Sequence, residues 1–233
     1  MTERRRPQLH QTAQALQIGP SSLSWEDGVL TARFDEVTAP VPSRVRGTIR
    51  LHPQAVLGER FALDAAQRHH WRPIAPRCEV EVTLGEPDCA WRGQGYFDTN
   101  AGQEPLEAGF RAWNWSRAHR AHDTLLFYDV EGRDGGTGHV ALRIDAAGAV
   151  EQLEPPPPAP LPPTLWKMPR QVRGDLMAPP RLVRTLEDTP FYTRSLMRAG
   201  EGGAILHESL SLDRLRSPLI RAMLPFRMPR VFW

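Results

Sequence analysis

Between residues 28 and 153 the chain alternates apolar and polar positions with a period of two. "GVLTARFDEVT", "SRVRGTIRLHP" and "ERFALDAAQRHHWRP" read as extended runs, with Pro and Gly punctuating between them. "RCEVEVTLG" is the clearest: Cys78, Val80, Val82 and Leu84 fall on one face, and Glu79, Glu81 and Thr83 on the other. "DTLLFYDVEGRDGGTGHVALRID" has the form of two strands joined by a turn at Gly135 and Gly136. No alternation of strands with helices occurs. Short strands with regular turns predict a mainly β protein of antiparallel sandwich or barrel lobes.

The pattern breaks at residues 154–163, "EPPPPAPLPP", which cannot join a central strand and favour extended polyproline II. This predicts a first lobe over residues 1–153, a proline-rich linker over 154–163, and a smaller second β lobe over 164–233. In that second part "RLVRTLEDTPFYTRSLM" and "GGAILHESLSLDRL" read as further strands around a Gly-rich turn at Gly200 to Gly203. Ser217 as an N-cap with Pro218 at the first helical position predicts a short C-terminal helix.

Composition narrows the class. The chain has 233 residues, of which 40% are hydrophobic, and no apolar run approaches the roughly 18 needed for a spanning helix. "MTERRRPQLHQ" is charged and no apolar stretch follows it, unlike a signal peptide. The 29 basic and 27 acidic side chains give a net charge of +2, and Lys167 is the sole lysine. Arginines dispersed among acids argue against nucleic acid, whereas a mildly basic surface suits anionic lipid headgroups. Cys78 and Cys89 match no metal motif and are expected as reduced thiols.

A Gly-rich phosphate loop, HExxH, a CxxC pair and a G-x-S-x-G elbow are all missing from the sequence, so no cofactor or metal is expected. What remains is a set of aromatics, histidines and acids. "RHHWRP" places His69 and Trp71 on one face of an extended chain, with His70 on the other. "GYFDTN" does the same for Tyr96 and Asp98. Brought together, these four could perform acid–base work on an apolar substrate, with the rings stabilising a developing cation. The blander reading makes Trp71 and Tyr96 core aromatics and Asp98 a cap on a turn into Thr99 and Asn100. Trp113 and Trp115 share a face, as core or lining, and Asp98 with Glu107 is a nominal carboxylate pair.

Several longer segments carry a family resemblance: "VRGTIRLHP", "HHWRPIAP", "GYFDTNAGQEPLE", "FYDVEGRDGG", "LEDTPFYTRSL", "HESLSLDR" and "LPFRMPR". Through these the chain resembles the carotenoid 1,2-hydratases, or hydroxyneurosporene synthases, of purple photosynthetic bacteria. The resemblance implies two lipocalin-like β lobes with an apolar cavity. It also implies cofactor-independent addition of water across the terminal C1=C2 bond of acyclic carotenoids such as neurosporene and lycopene. The family's H-x-W and Y-x-D patterns fall on His69, Trp71, Tyr96 and Asp98. Members usually carry a further segment ahead of the "MTERRR" position, so the first lobe is expected to be N-terminally incomplete.

Under that resemblance Asp98 protonates C2, Trp71 and Tyr96 face the tertiary cation at C1, and neutral His69 takes a proton from water. Two alternatives stay open: Tyr96 as the group that orients Asp98, and an exchange of roles between Asp98 and His69. A rival account is a non-catalytic lipocalin-like carrier of carotenoid or lipid. An insoluble polyene must come from a membrane, so the expected partner is a membrane surface. The expected location is the cytoplasmic face of the photosynthetic inner membrane, with residues 217–233 as the anchor.

Overall fold

The structure, a computed structural model, describes residues 5–38, 41–174, 179–199 and 203–224. The chain first forms β1 (Leu9–Gln11), β2 (Ala15–Ile18), β3 (Ser21–Glu26), β4 (Val29–Val37) and β5 (Arg44–Pro53). Then come β6 (Phe61–Ala62), β7 (His69–Glu86), β8 (Asp88–Gly102) and helix α1 (Leu106–Gly109). The strands β9 (Phe110–His119), β10 (Asp123–Gly132), β11 (Thr137–Asp145) and β12 (Val150–Gln152) follow. Next are β13 (Pro158–Pro160), β14 (Gln171–Arg173), β15 (Arg181–Asp188), β16 (Tyr192–Arg198) and β17 (Ala204–Ser211). Two short helices, α2 (Leu212–Leu215) and α3 (Pro218–Met223), come last, the latter starting at Pro218 as the sequence predicts.

One sheet has the order β1-β2-β3-β4-β5-β7-β6, with β8 also paired to β7. The second has the order β12-β11-β10-β9-β17-β16-β15, and β13 and β14 form a separate two-stranded ladder. The mainly β, antiparallel expectation holds, and neither sheet closes into a barrel. By contacts the chain forms two compact units. One holds the described residues up to Val56 with Ala75–Phe97; the other holds Leu57–Ile74 with Asp98–Ala222.

Strand alternation explains the cores. On β7, Cys78, Val80 and Val82 are buried while Glu79 and Thr83 are exposed, as the period of two requires. In the second sheet, Tyr128, Trp115, Glu208 and Arg194 are register partners in one row across β10, β9, β17 and β16. Val130, Trp113, Leu210 and Tyr192 form the next row on the same face. The opposite face carries Ser116, His207, Ser195, Ser209 and Thr193, all buried. Three of them are bonded: His207 Nε2 lies 3.1 Å from Ser209 Oγ, which donates to Asn114 Oδ1 at 2.6 Å, and Arg170 Nη1 donates to Ser195 Oγ at 2.9 Å.

The structure departs from the sequence reading in three places. "ERFALDAAQRHHWRP" is not one strand, because Asp64 opens a turn between β6 and β7. Its carboxylate accepts the Arg68 and His69 backbone N–H groups at 3.1 and 2.8 Å, and Gln67 takes a positive φ of 55°. Conversely, β8 runs straight through Asp98 to Gly102, so Asp98 does not cap a turn. Strands β1 and β2 lie ahead of residue 28, where the alternating pattern begins. The predicted turn at Gly200 to Gly203 lies mostly outside the described residues, as does the tail beyond residue 224.

Candidate active site

The period of two on β7 sends His69 and Trp71 into the same interior, at 1% and 0% exposure. Asp98 follows on β8, half-buried, and its carboxylate meets the indole. Trp71 Nε1–H donates to Asp98 Oδ2 at 2.8 Å, joining residues 27 positions apart. A buried indole N–H without an acceptor would cost about 1–3 kcal/mol, so this bond fixes both partners. Tyr96 lies two residues earlier on the same strand and is half-buried.

Around Trp71 stands a chain of rings. Phe61 is 6.1 Å away centroid to centroid, and Tyr128 meets the indole edge-on at 5.3 Å. Tyr128 also meets Trp113 edge-on at 5.8 Å, and Trp113 meets Tyr192 at 6.5 Å. Such edge contacts match the positive rim of one ring to the negative face of the next. The Tyr128 hydroxyl donates to Asn100 Oδ1 at 3.3 Å. Burial pushes that hydroxyl's pKa well up, and the negative charges of Asp98 and Glu208 push it further. Tyr128 therefore stays a neutral phenol with carboxyl groups of β8 and β17 in its field. Glu208 accepts from Arg194 Nε at 2.9 Å.

His69 has its own orientation device. Nδ1 lies 3.0 Å from Asp64 Oδ2, which also accepts the His69 backbone N–H. A carboxylate can only accept, so Nδ1 carries the proton and Nε2 keeps its lone pair. That Nε2 is buried with no hydrogen-bond partner. For Asp64, burial raises the pKa but the N–H donors of Arg68 and His69 outweigh it, holding the carboxyl below its ordinary value. The ring is seated by two glycines: a Cβ on Gly102 or on Gly109 would stand 2.6 Å from its Cδ2 or Cε1. Phe110 packs on the imidazole at 4.7 Å.

The structure thus brings Trp71 and Asp98 into direct contact and seats His69 on the same face of β7, with Asp64 behind it. Tyr96 shares the strand and side alternation of Asp98. Glu107, nominal partner in a carboxylate pair, lies on α1 and binds Arg221 at 3.0 Å instead. Among the described residues no group of three or more His, Cys, Asp or Glu is placed to hold a metal ion. The sequence shows Tyr128 only as a residue of a strand, since its contact with Trp71 depends on how the elements pack. Sequence reasoning missed Asp64 because it read the turn as strand.

A family model described as carotenoid hydratase CrtC matches residues 1–232. The chain belongs to the carotenoid hydratase family. Among family members, it is 51% identical over 235 residues to the acyclic carotenoid 1,2-hydratase of Thiocapsa roseopersicina, covering 99% of this chain. It is 42% identical over 234 residues to that of Rubrivivax gelatinosus, again covering 99% of this chain. The chain spans 58% of the length of each of these two relatives. In fold it is similar to the crystal structure of a protein described as AttH from Nitrosomonas europaea, with a TM-score of 0.59 and 13% identity. That match covers 88% of this chain and 72% of the other, and supports the lipocalin-like architecture alone.

Proposed function

We propose that this chain adds water across the terminal C1=C2 double bond of acyclic carotenoids such as neurosporene and lycopene, with Asp98 as the acid. The observation that carries the reading is the Trp71 Nε1–H bond to Asp98 Oδ2 inside an aromatic cluster. It sets a carboxyl against a cluster of rings, a setting suited to an apolar alkene. Family membership and the names of the relatives support the substrate class.

Asp98 enters the reaction protonated, with Oδ2 accepting from the indole and the acidic proton on Oδ1. That proton passes to C2, leaving a carboxylate and a tertiary cation at C1, the more substituted carbon. Trp71 and Tyr96 supply π-density to the cation and exclude stray bases that would drive elimination. Water attacks C1 through its oxygen. His69, with Nδ1–H turned to Asp64, accepts the departing proton at Nε2. Loss of that proton to solvent and reprotonation of Asp98 restore the site. The sum is alkene plus water giving a tertiary alcohol, with no change of oxidation state in the protein.

The substrate is insoluble in water, so it is taken from a bilayer. Among the described residues no helix is long and apolar enough to cross a membrane. The proposal therefore includes peripheral attachment to the membrane that holds the carotenoid.

A solvent-isotope experiment tests the acid step. In deuterium oxide the hydroxylated product is expected to carry non-exchangeable deuterium at C2. Product with hydroxyl at C1 and no deuterium at C2 would rule out proton delivery from an exchangeable acid.

A further inference from the structure

We infer that the loop Thr164–Lys167 is a membrane-docking element, which inserts Leu165 and Trp166 among the headgroups of an anionic bilayer. The inference rests on the reading that the substrate is taken from a membrane, but the loop's geometry does not depend on the reaction.

Leu165 is 85% exposed and Trp166 44% exposed, a large apolar pair side by side at the surface. Isolated exposed apolar residues are ordinary. Here the backbone beneath is built to hold them out. Lys167 N–H donates to Thr164 O at 2.9 Å, closing a turn in which Lys167 takes a positive φ of 52°. That conformation is unfavourable for a side chain with a Cβ and persists only where surrounding bonds enforce it.

The enforcing bonds are specific. Thr164 Oγ1 accepts the Met168 N–H at 3.2 Å, and Met168 is buried at 1% exposure, pinning one end of the loop. Arg214 of α2 clamps it from the side. Its Nη1 donates to Trp166 O at 2.8 Å and to Pro190 O at 3.1 Å, and its Nη2 donates to Lys167 O at 3.0 Å. The carbonyls are drawn inward to the guanidinium, so the Leu165 and Trp166 side chains are left outward.

Charge selects the occupant. Lys167, the sole lysine of the chain, is exposed next to Trp166, and Arg216 is exposed two residues after Arg214. Of the acids nearby, Asp213 binds Arg111 and Arg133, and Asp188 is buried at 7% exposure with its Oδ2 accepting the Trp166 N–H at 3.4 Å. An aromatic and an aliphatic side chain flanked by unneutralised cations match the interfacial zone of an anionic bilayer, where Trp is favoured and each cation adds attraction. A protein partner's apolar pocket would not need the cations.

The test is flotation of the whole chain with vesicles of phosphatidylglycerol and phosphatidylcholine. Leu165→Ser with Trp166→Ser is expected to lower partitioning at least about tenfold, since the two side chains together bring more than about 1.4 kcal/mol of apolar burial. Lys167→Glu is expected to weaken binding at low salt and to change it little at high salt. Circular dichroism melting of each variant separates lost docking from lost folding, because the changed side chains lie outside the core. Unchanged flotation of a folded double variant would overturn the proposal, as would a wild-type chain that ignores vesicles and instead self-associates through this loop. Hydration is measured in parallel on detergent-dispersed carotenoid, where the loop variants are expected to match wild type. A wild-type chain that binds vesicles through the loop yet hydrates nothing would defeat the hydratase reading and leave the docking intact.

Discussion

At the scale of single residues, the central feature is that two histidine-like polar tasks are split between neighbours on β7. Trp71 turns its N–H to Asp98, and His69 turns its Nδ1–H to Asp64, so each polar ring has one assigned partner. H-x-W and Y-x-D were readable in the sequence because strand periodicity alone places alternate residues together. Asp64 was not, since its role depends on a turn whose positive φ at Gln67 no hydrophobic pattern reports. Asp64 tests the proton-accepting role assigned to His69. In Asp64→Asn the amide can donate to Nδ1, which allows the proton to move to Nε2 and removes the base. Hydration is expected to fall by about a hundredfold, within the usual range for a general base, with carotenoid binding unchanged. Full activity in that variant would remove His69 from the reaction.

At the scale of elements, the second sheet has two faces of opposite character. One carries Tyr128, Trp113, Trp115 and Tyr192; the other carries a buried polar network around His207, Ser209, Asn114 and Arg170. The sequence disclosed the strands but not this division, because serine and threonine in alternation look like a solvent face. Only the segment carrying Arg170, which bonds Ser195, turns that face into an interior. In the proline-rich segment, Pro158–Pro160 pairs with β14 in a two-stranded ladder apart from the two main sheets. A pH prediction belongs here. Burial, with the nearby Arg170 charge, lowers the His207 pKa from 6.5 to about 4. Between those values the unfolded chain binds a proton that the folded chain refuses, so stability falls as pH drops from about 6.5 to 4. The full effect is about 3 kcal/mol. Denaturant titrations are expected to show this loss, and His207→Gln is expected to flatten it. An equally steep decline in the variant would place the proton uptake elsewhere.

At the scale of the molecule, an open, mainly β architecture with two antiparallel sheets supports a site whose polar groups come from few elements. Trp71 of β7 meets Asp98 of β8, His69 follows on the same face of β7, and the second sheet adds Tyr128 against the indole. Sequence periodicity was enough for the fold class, and the segments shared with the carotenoid hydratases were enough for the family. Closure could not be read, because alternation is the same in an open sheet and in a barrel. The measurement that bears most directly on the account is a product assay. Lycopene or neurosporene in liposomes is incubated with the wild-type chain and with Asp98→Asn, and mass spectrometry follows the gain of one water. The asparagine retains a carbonyl oxygen to accept the Trp71 N–H, so the variant keeps the site's shape and lacks only the acid. Hydration by the wild type and its loss in Asp98→Asn is the predicted result. Hydration undiminished in Asp98→Asn, or carotenoid bound but left unchanged by the wild type, would contradict it.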